Sequence, residues 1–325
     1  MEMTTELKCA KRNLLIILLA IAASVLLNIT VNAQTPEQWR TMKGDVNFFI
    51  ANDLGRNGYY EQKPIAELMG KVAEEVGPEA VVAAGDIHHF DGVASTQDPL
   101  WMTNYELIYS HPELMISWWP VLGNHEYRGN TQAVLDYRSV SRRWEMPNRY
   151  YTKVLEDNGV TVRLVFIDTT PFIDKYHCEK YSDVNLQDID AQLRWIEATL
   201  RDAKEDWVMV VGHHPMYAQT KKDIIEQQDM QRRLLPILQR YQQKVAMFVS
   251  GHIHNFQHIR RGSDGIDYVV NSSASLARKV TPTEGTVFCS PSEGFSVVSA
   301  SKKRLSLYMI DKDGKMIHEV KRICE

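Results

Sequence analysis

The chain has 325 residues, of which 44% are hydrophobic and 24% are charged, with 17 glycines and 12 prolines. These proportions exclude collagen-like, intrinsically disordered and small disulfide-scaffold proteins, and they are typical of a soluble globular protein. The formal net charge is −4, and the basic residues are dispersed along the chain. We therefore do not expect nucleic acid as a partner.

The N-terminus has the order of a secretory signal peptide. Basic residues end at Arg12, an apolar run covers residues 14–27, and Ala33 suits a cleavage site. The run is short for a membrane span. We predict that residues 1–33 are removed on export to the periplasm or extracellular space, without stable membrane insertion afterwards, and that residues 34–325 form one domain. An uncleaved N-terminal anchor is the alternative.

Three cysteines follow the predicted signal peptide: Cys178, Cys289 and Cys324. Their spacing is unlike that of a metal site, and an exported protein reaches a compartment that permits disulfides. One disulfide with one free thiol is therefore an option.

Short apolar runs, each followed by glycine or a polar cluster, predict buried strands. The runs cover residues 46–51, 80–84, 118–122, 162–167, 207–211 and 245–249. Helical patterns lie between them, so we predict an α/β layered fold of two mixed sheets flanked by helices.

Two helices have the clearest spacing. One core-facing stripe consists of Leu186, Ile189, Leu193, Ile196 and Leu200. The other runs from about residue 230 to 241, and Pro236 should kink or end it. Turn sequences at 157–159, 262–265 and 311–314 predict three hairpins.

Five of the strand-like runs are followed directly by segments that carry Asp, Asn or His. Seven of the eleven histidines fall in these segments. Ligands of open α/β sheets bind at the carboxyl ends of strands, and these side chains are the usual donors to first-row metals. Their number exceeds one tetrahedral site, which predicts two metal ions. The segments are Asn52-Asp53-Leu54-Gly55, Gly85-Asp86-Ile87-His88-His89, Gly123-Asn124-His125-Glu126, Gly212-His213-His214-Pro215 and Gly251-His252-Ile253-His254.

This order of segments resembles the calcineurin-like metallophosphoesterases and, among them, the purple acid phosphatases of the small, tartrate-resistant type. The resemblance covers about residues 46–273. It implies a metallophosphoesterase-like sandwich in which a bridging hydroxide hydrolyses small phosphate monoesters at a binuclear metal centre. It also implies one metal on Asp53, Asp86, His89 and His254, a second on Asp86, Asn124, His213 and His252, and His125 beside them as the catalytic residue that meets the substrate.

One position departs from the resembled family, whose second motif carries a tyrosine that binds Fe(III) and gives the purple colour. His89 stands at that position. Imidazole stabilises Fe(III) less than tyrosinate does, so divalent Zn, Mn or Fe become suitable and the metal identity stays open. We expect a nearly colourless protein. His88 is the alternative ligand here, although register favours His89, and His214 is either a supporting or a core histidine.

The resemblance implies that His125 offsets charge on the phosphate or acts as general acid. Glu126 then either orients or raises the pKa of that imidazole, or is a solvated side chain. Two other functions stay open: a phosphodiesterase on the same metals, and a non-catalytic metal-binding protein.

Overall fold

The computed structural model describes residues 36–220, 224–261 and 264–324. The predicted signal peptide and part of the predicted turn at 262–265 lie outside these ranges. Trp39–Glu325 forms one compact unit. Among the described residues, no helix is both long enough and apolar enough to cross a membrane.

The described residues form thirteen strands and six α-helices. The strands are β1 (Val46–Ala51), β2 (Ala80–Ala83), β3 (Ser117–Pro120), β4 (Tyr151–Asp157), β5 (Val160–Phe166), β6 (Trp207–Val211), β7 (Val245–Ser250), β8 (Phe256–Ile259), β9 (Asp267–Val270), β10 (Thr286–Ser290), β11 (Gly294–Ala300), β12 (Arg304–Asp311) and β13 (Met316–Ile323). The helices are α1 (Pro36–Arg40), α2 (Gln62–Val76), α3 (Thr131–Asp136), α4 (Ile189–Asp202), α5 (Ile225–Arg233) and α6 (Leu235–Arg240).

Short helical turns occupy several connections. A π-helical turn covers Met102–Glu106, and 3₁₀ turns cover Pro112–Leu114, Glu126–Arg128, Tyr137–Ser139, Thr170–Phe172, Asp174–Tyr176 and Glu179–Leu186.

The strands form two mixed sheets. The first has the order β13-β12-β11-β1-β2-β3, in which β1, β2 and β3 are parallel and β11, β12 and β13 are added antiparallel. The second has the order β10-β8-β9-β7-β6-β5-β4, with β5, β6, β7 and β9 parallel. The predicted α/β fold of two mixed sheets flanked by helices is therefore confirmed.

The central strands read as continuous apolar runs because both of their faces are buried. Every residue of β1, β2, β6 and β7 is buried, and one hydrophobic core joins the two sheets. The six predicted strands all exist, and their ends agree with the prediction to within two residues.

Helix α4 confirms most of the predicted core stripe but begins later than predicted. Ile196 and Leu200 are buried, whereas Leu186 is 78% exposed and lies in the preceding 3₁₀ turn. Asp188 explains the difference, because its carboxylate accepts the backbone N–H of Ala191 and starts the helix there. The inclusion of Leu186 in the stripe was wrong.

Pro236 interrupts the second predicted helix as expected. It occupies the first turn of α6, where a missing N–H costs nothing, and Leu234 separates α6 from α5. The predicted hairpins at 157–159 and 311–314 join β4 to β5 and β12 to β13. All three cysteines after residue 33 are free thiols, so the option of a disulfide among them was wrong.

Candidate metal centre

Loops after five parallel strands meet at one edge of the two sheets. The first sheet supplies Asp53 after β1, Asp86 after β2 and Asn124 after β3. The second supplies His213 after β6 and His252 after β7. All five side chains are buried. The two sheets thus present carboxylate, amide and imidazole groups to the same place, as expected for the carboxyl ends of parallel strands.

One group of donors surrounds Asp53. Its Oδ1 lies 3.0 Å from Nε2 of His254. One potential ligand atom from each of Asp53, His89 and His254 lies within 4.8 Å of the others. These three side chains come from three different loops.

A second group surrounds His213. Its Nε2 lies 3.1 Å from Asp86 Oδ2 and 3.2 Å from Nδ1 of His252. Asp86 also belongs to a group with His89, in which its Oδ2 is 3.6 Å from His89 Nε2. The Asp86 carboxylate therefore stands between the two groups of donors, where it is suited to bridge two ions.

These separations suit coordination of metal ions. Two donor atoms that each lie about 2.1 Å from one ion are about 3 to 3.5 Å apart. The distances from Asp53 to His254, from Asp86 to His213 and from His213 to His252 fall in this range.

Several buried donor atoms at the centre lack hydrogen-bond partners among the described residues. They are Asp53 Oδ1, Asn124 Oδ1 and both ring nitrogens of His89. Buried polar atoms are normally satisfied, and unsatisfied ones gathered at one place indicate a missing ion or water. Because these donor atoms are unsatisfied and lie together, the residues present fit a metal centre.

In two of the histidines, the ring nitrogen that points away from the centre is held by a backbone carbonyl. His213 Nδ1 lies 2.9 Å from the carbonyl of Ala84, and His254 Nδ1 lies 2.8 Å from the carbonyl of Leu276. A carbonyl can only accept, so each Nδ1 carries a proton and each Nε2 is the ring nitrogen that faces the centre.

His252 is held through Nε2 instead of Nδ1, and its partner is a carboxylate. Its Nε2 lies 2.8 Å from Oε2 of Glu226, and its Nδ1 faces His213. Glu226 is buried on α5, where Tyr176 donates to it over 2.9 Å and Lys175 pairs with it. The carboxylate fixes the orientation of the imidazole and increases its basicity toward a metal.

The glycines of the motifs allow the loops to approach each other closely. Gly85 has φ of 88°, and a Cβ there would collide with the His213 ring. A Cβ on Gly123 would collide with the Asp86 carboxylate. Glycine is required at both positions for these donors to reach the centre.

The electrostatics of the centre favour bound positive charge. Burial alone would raise the pKa of Asp86, but the neighbouring His213, His125 and His89 hold it well below its usual value. Burial alone would lower the pKa of His213, yet Asp86 and Asp53 raise it to about 9. Burial would also raise the pKa of Asp53, but His254 and His213 hold it below its usual value, so both carboxylates stay ionised and attract cations.

Glu126 neither contacts the His125 imidazole nor lies in solvent, the two arrangements expected for it. It is buried and accepts the backbone N–H groups of Asp86, Ile87, His88 and Gly123 over 2.8 to 3.1 Å. Burial raises its pKa to about 7. Both expectations, contact with His125 and a solvated carboxylate, were wrong: Glu126 ties the loop after β2 to the loop after β3.

His125 lies at the edge of the centre, where one of its ring nitrogens is within 4.8 Å of potential ligand atoms of Asp86 and His89. Its backbone N–H donates to Asp86 Oδ1 over 2.9 Å, and its Nε2 is 3.8 Å from Asp86 Oδ2. Its Nδ1 is 2.6 Å from the carbonyl of Phe90. Because that oxygen can only accept, Nδ1 carries a proton and Nε2 faces the centre.

Two motif histidines act differently from the others. The His88 ring packs edge-on against Trp101 with the centroids 4.4 Å apart, outside the donor groups, so the geometry favours His89 over His88. His214 lies within reach of the second group, but its Nδ1 is 2.8 Å from Thr169 Oγ1 and its Nε2 is 3.3 Å from the hydroxyl of Tyr176. Its ring packs against that of His252, with the two ring centroids 4.4 Å apart.

A cavity of about 430 Å³ opens beside the centre. Three of its lining residues, Lys175, Glu226 and Arg278, were not predicted from the sequence, since they lie outside the five motifs and have no characteristic spacing. We call it the cationic cavity, and it is lined by Asn124, His125, Arg128, Lys175, Tyr176, Tyr181, Glu226, His252 and Arg278.

The profile of the calcineurin-like phosphoesterases matches residues 46–256. The match spans more than half of the chain, and the chain belongs to this family. Within the range lie all the donors named above. The resemblance stated from the motifs is confirmed.

The similar curated proteins are purple acid phosphatases. Purple acid phosphatase 3 of Arabidopsis thaliana is 32% identical over 296 residues, which cover 86% of this chain and 78% of that protein. Tartrate-resistant acid phosphatase type 5 of Oryctolagus cuniculus is 27% identical, over 79% of this chain and 82% of that protein.

A solved structure shares the fold. It is described as GAP50, the anchor in the inner membrane complex of Plasmodium, and it superposes with a TM-score of 0.74 at 21% identity, over 86% of this chain and 89% of that chain. At this identity the likeness concerns the fold alone.

Proposed function

We propose that this protein hydrolyses phosphate monoesters at a centre of two metal ions. Membership of the phosphoesterase family and the likeness to purple acid phosphatases support this function. The observation that carries it is the position of the Asp86 carboxylate between two groups of potential metal donors. One ion would be held by Asp53, Asp86, His89 and His254, and the other by Asp86, Asn124, His213 and His252.

The ions and the cationic cavity have separate tasks. Two ions at such a site would supply hydroxide near neutral pH and would offset negative charge on the phosphate. The side chains of Arg128 and Arg278 reach the cavity beside them. Nε and Nη2 of Arg128 both lie 3.2 Å from the hydroxyl of Tyr181, which orients the guanidinium. These cations bind and position the phosphate oxygens.

His125 is suited to give a proton to the leaving group. In the reaction an oxygen from water joins phosphorus, the bond from phosphorus to the leaving oxygen breaks, and that oxygen needs a proton. The products are inorganic phosphate and an alcohol. With Nδ1 bound to the carbonyl of Phe90, Nε2 of His125 is the nitrogen that can carry this proton.

The donor set favours divalent ions. His89 offers a neutral imidazole where the resembled enzymes have a tyrosinate, so Zn²⁺, Mn²⁺ or Fe²⁺ suits the site better than Fe³⁺. Elemental analysis of the purified protein tests this choice, and Fe³⁺ as the main ion would contradict it.

A comparison of two esters tests the monoesterase. Protein loaded with Zn²⁺ or Mn²⁺ is assayed with p-nitrophenyl phosphate and with bis-p-nitrophenyl phosphate. We expect the higher kcat/KM for the monoester. A higher value for the diester would make the protein a phosphodiesterase, and the absence of metal-dependent turnover of either ester would indicate a non-catalytic metal-binding protein.

We also propose export with removal of residues 1–33, on the basic and apolar order of the N-terminus. N-terminal sequencing of protein from its native cell tests this. A chain that begins at Met1 in a cytoplasmic fraction would contradict it.

A further inference from the structure

A second cavity, of about 380 Å³, adjoins the metal centre on the side of His89. It shares no lining residue with the cationic cavity. His125 lines the cationic cavity, and the centroid of its ring lies 4.2 Å from that of His89 and 6.3 Å from that of Phe90, which both line the second cavity. We call it the aromatic cavity, and it is lined by Arg56, Asn57, Tyr59, Tyr60, His89 and Phe90.

Three exposed aromatic side chains surround this cavity. Tyr59 is 72% exposed, Tyr60 62% and Phe90 65%. In the part of the chain that the structure describes, no other aromatic side chain is exposed to this degree. Exposed apolar surface gathered at one place, next to a reactive centre, indicates a binding site for a ligand.

A buried arginine contributes to the wall of the cavity. Arg56 is only 8% exposed, and its Nε has no hydrogen-bond partner among the described residues. Its guanidinium lies 4.9 Å from the centroid of the Phe90 ring, within the range of a cation–π contact. Arg56 therefore supports the Phe90 ring from within the wall of the cavity.

The loop that carries the two tyrosines is held rigidly. Gln62 Oε1 accepts the backbone N–H of Arg56 over 3.0 Å and that of Gly58 over 2.7 Å. The backbone N–H of Asn57 donates to the side chain of Asn104 over 2.6 Å. Tyr60 has φ of 55°, a conformation that an aromatic residue adopts only when its surroundings impose it. The backbone that carries the two rings is thus fixed, which reduces the backbone entropy lost on binding.

We propose that the aromatic cavity binds the leaving group of the substrate and favours phosphate monoesters whose leaving group carries a planar aromatic ring. This inference rests on the monoesterase function proposed above. The phosphate then occupies the cationic cavity, the ring packs among Tyr59, Tyr60 and Phe90, and the oxygen that joins them lies near His125.

The charges favour a ring in this cavity over a second phosphate. Among the residues that the structure describes, Arg56 is the one arginine or lysine that lines the aromatic cavity, and it is buried. The cationic cavity instead has Arg128, Lys175 and Arg278. Aromatic rings also gain from offset or edge-on packing with one another.

Binding of inert phosphonates tests the proposal without turnover. Isothermal titration calorimetry of the metal-loaded protein compares 2-phenylethylphosphonate, 2-cyclohexylethylphosphonate and ethylphosphonate, which share the same anionic group. We expect the phenyl compound to bind about tenfold more tightly than the ethyl compound, since the ring is buried and packs on aromatic faces. Equal affinity of the phenyl and ethyl compounds would overturn the proposal, and equal affinity of the phenyl and cyclohexyl compounds would overturn its preference for a planar ring.

The double variant Tyr59→Ala/Tyr60→Ala locates the effect. We expect the affinity ratio of phenyl to ethyl phosphonate to fall close to 1 in this variant. Val287→Ala is the control, because Val287 is also exposed, at 51%, but lies on β10 in the other sheet and should keep the ratio of the wild type. An unchanged ratio in the double variant would contradict the assignment to this cavity.

Turnover separates this inference from the function on which it rests. 2-Phenylethyl phosphate and ethyl phosphate have leaving alcohols of similar reactivity. A higher kcat/KM for 2-phenylethyl phosphate therefore measures the contribution of ring binding. If neither ester were hydrolysed, the monoesterase function would fail, while the phosphonate affinities would still decide whether the cavity binds an aromatic ring.

Discussion

His125 differs from the neighbouring histidines in its distance from the carboxylates. Its Nε2 is 3.8 Å from Asp86 Oδ2, whereas Nε2 of His213 is 3.1 Å from the same atom. Its side chain is also partly exposed at the cavity, while that of His213 is fully buried. One ring nitrogen of His125 lies within 4.8 Å of potential ligand atoms of Asp86 and His89, and the partial exposure of the imidazole at the cavity is what suits it to meet a substrate.

We predict that His125→Ala keeps both metal ions and lowers turnover of p-nitrophenyl phosphate by about 10² to 10⁴ fold, the range for loss of a general acid. Elemental analysis and steady-state kinetics on the same sample check this. Loss of a metal ion in the variant, or turnover equal to that of the wild type, would show that the role assigned to His125 is wrong.

The replacement of tyrosine by His89 predicts a colourless metal-loaded protein. Tyr176, at the adjoining cavity, donates to Glu226, and burial raises its pKa well above the usual value, so it stays protonated. Imidazole gives no low-energy charge-transfer band comparable with that of tyrosinate on Fe(III). A visible spectrum of the metal-loaded protein checks this, and an intense purple band would mean that a tyrosine binds the metal.

The loops of the metal centre are held by hydrogen bonds to residues far away in the chain. Glu126 joins the loops after β2 and β3 of the first sheet. Glu226 on α5 holds His252, which follows β7 of the second sheet. Lys175 and Tyr176 in turn hold Glu226. These contacts keep the donors oriented before a metal arrives.

We predict that Glu226→Gln lowers the affinity for the second metal ion by about 10 to 100 fold, because it weakens the acceptor that orients His252. Competitive titration against a metal indicator measures this. Glu74→Gln is a matched control, since Glu74 lies 3.3 Å from His111 at the surface and away from the motifs. Equal metal affinity in Glu226→Gln and the wild type would contradict the role given to Glu226.

Local patterns predicted the motifs and the central strands well, because fully buried parallel strands leave continuous apolar runs such as β1 and β6. The start of α4 was mispredicted because the apolar spacing continued to Leu186 while the Asp188 cap set the boundary. Glu226 was not predicted, since its function depends on the packing of α5 against a loop 26 residues further on. Such contacts have no periodic signal.

At the scale of the whole molecule, the metal centre lies where the two sheets meet. Asp53, Asp86 and Asn124 come from the first sheet, whereas His213 and His252 come from the second. His125 lines one cavity and His89 the other, and the centroids of their rings are 4.2 Å apart. Neither sheet carries the complete set of donors.

Titration of metal-free protein tests the binuclear phosphatase most directly. Zn²⁺ or Mn²⁺ is added in steps while phosphate release from p-nitrophenyl phosphate is measured. We predict no activity without metal and a rise to a plateau at two ions per chain, because Asp86 belongs to both donor groups. Full activity in the metal-free protein, or a plateau at one ion per chain, would contradict the binuclear phosphatase.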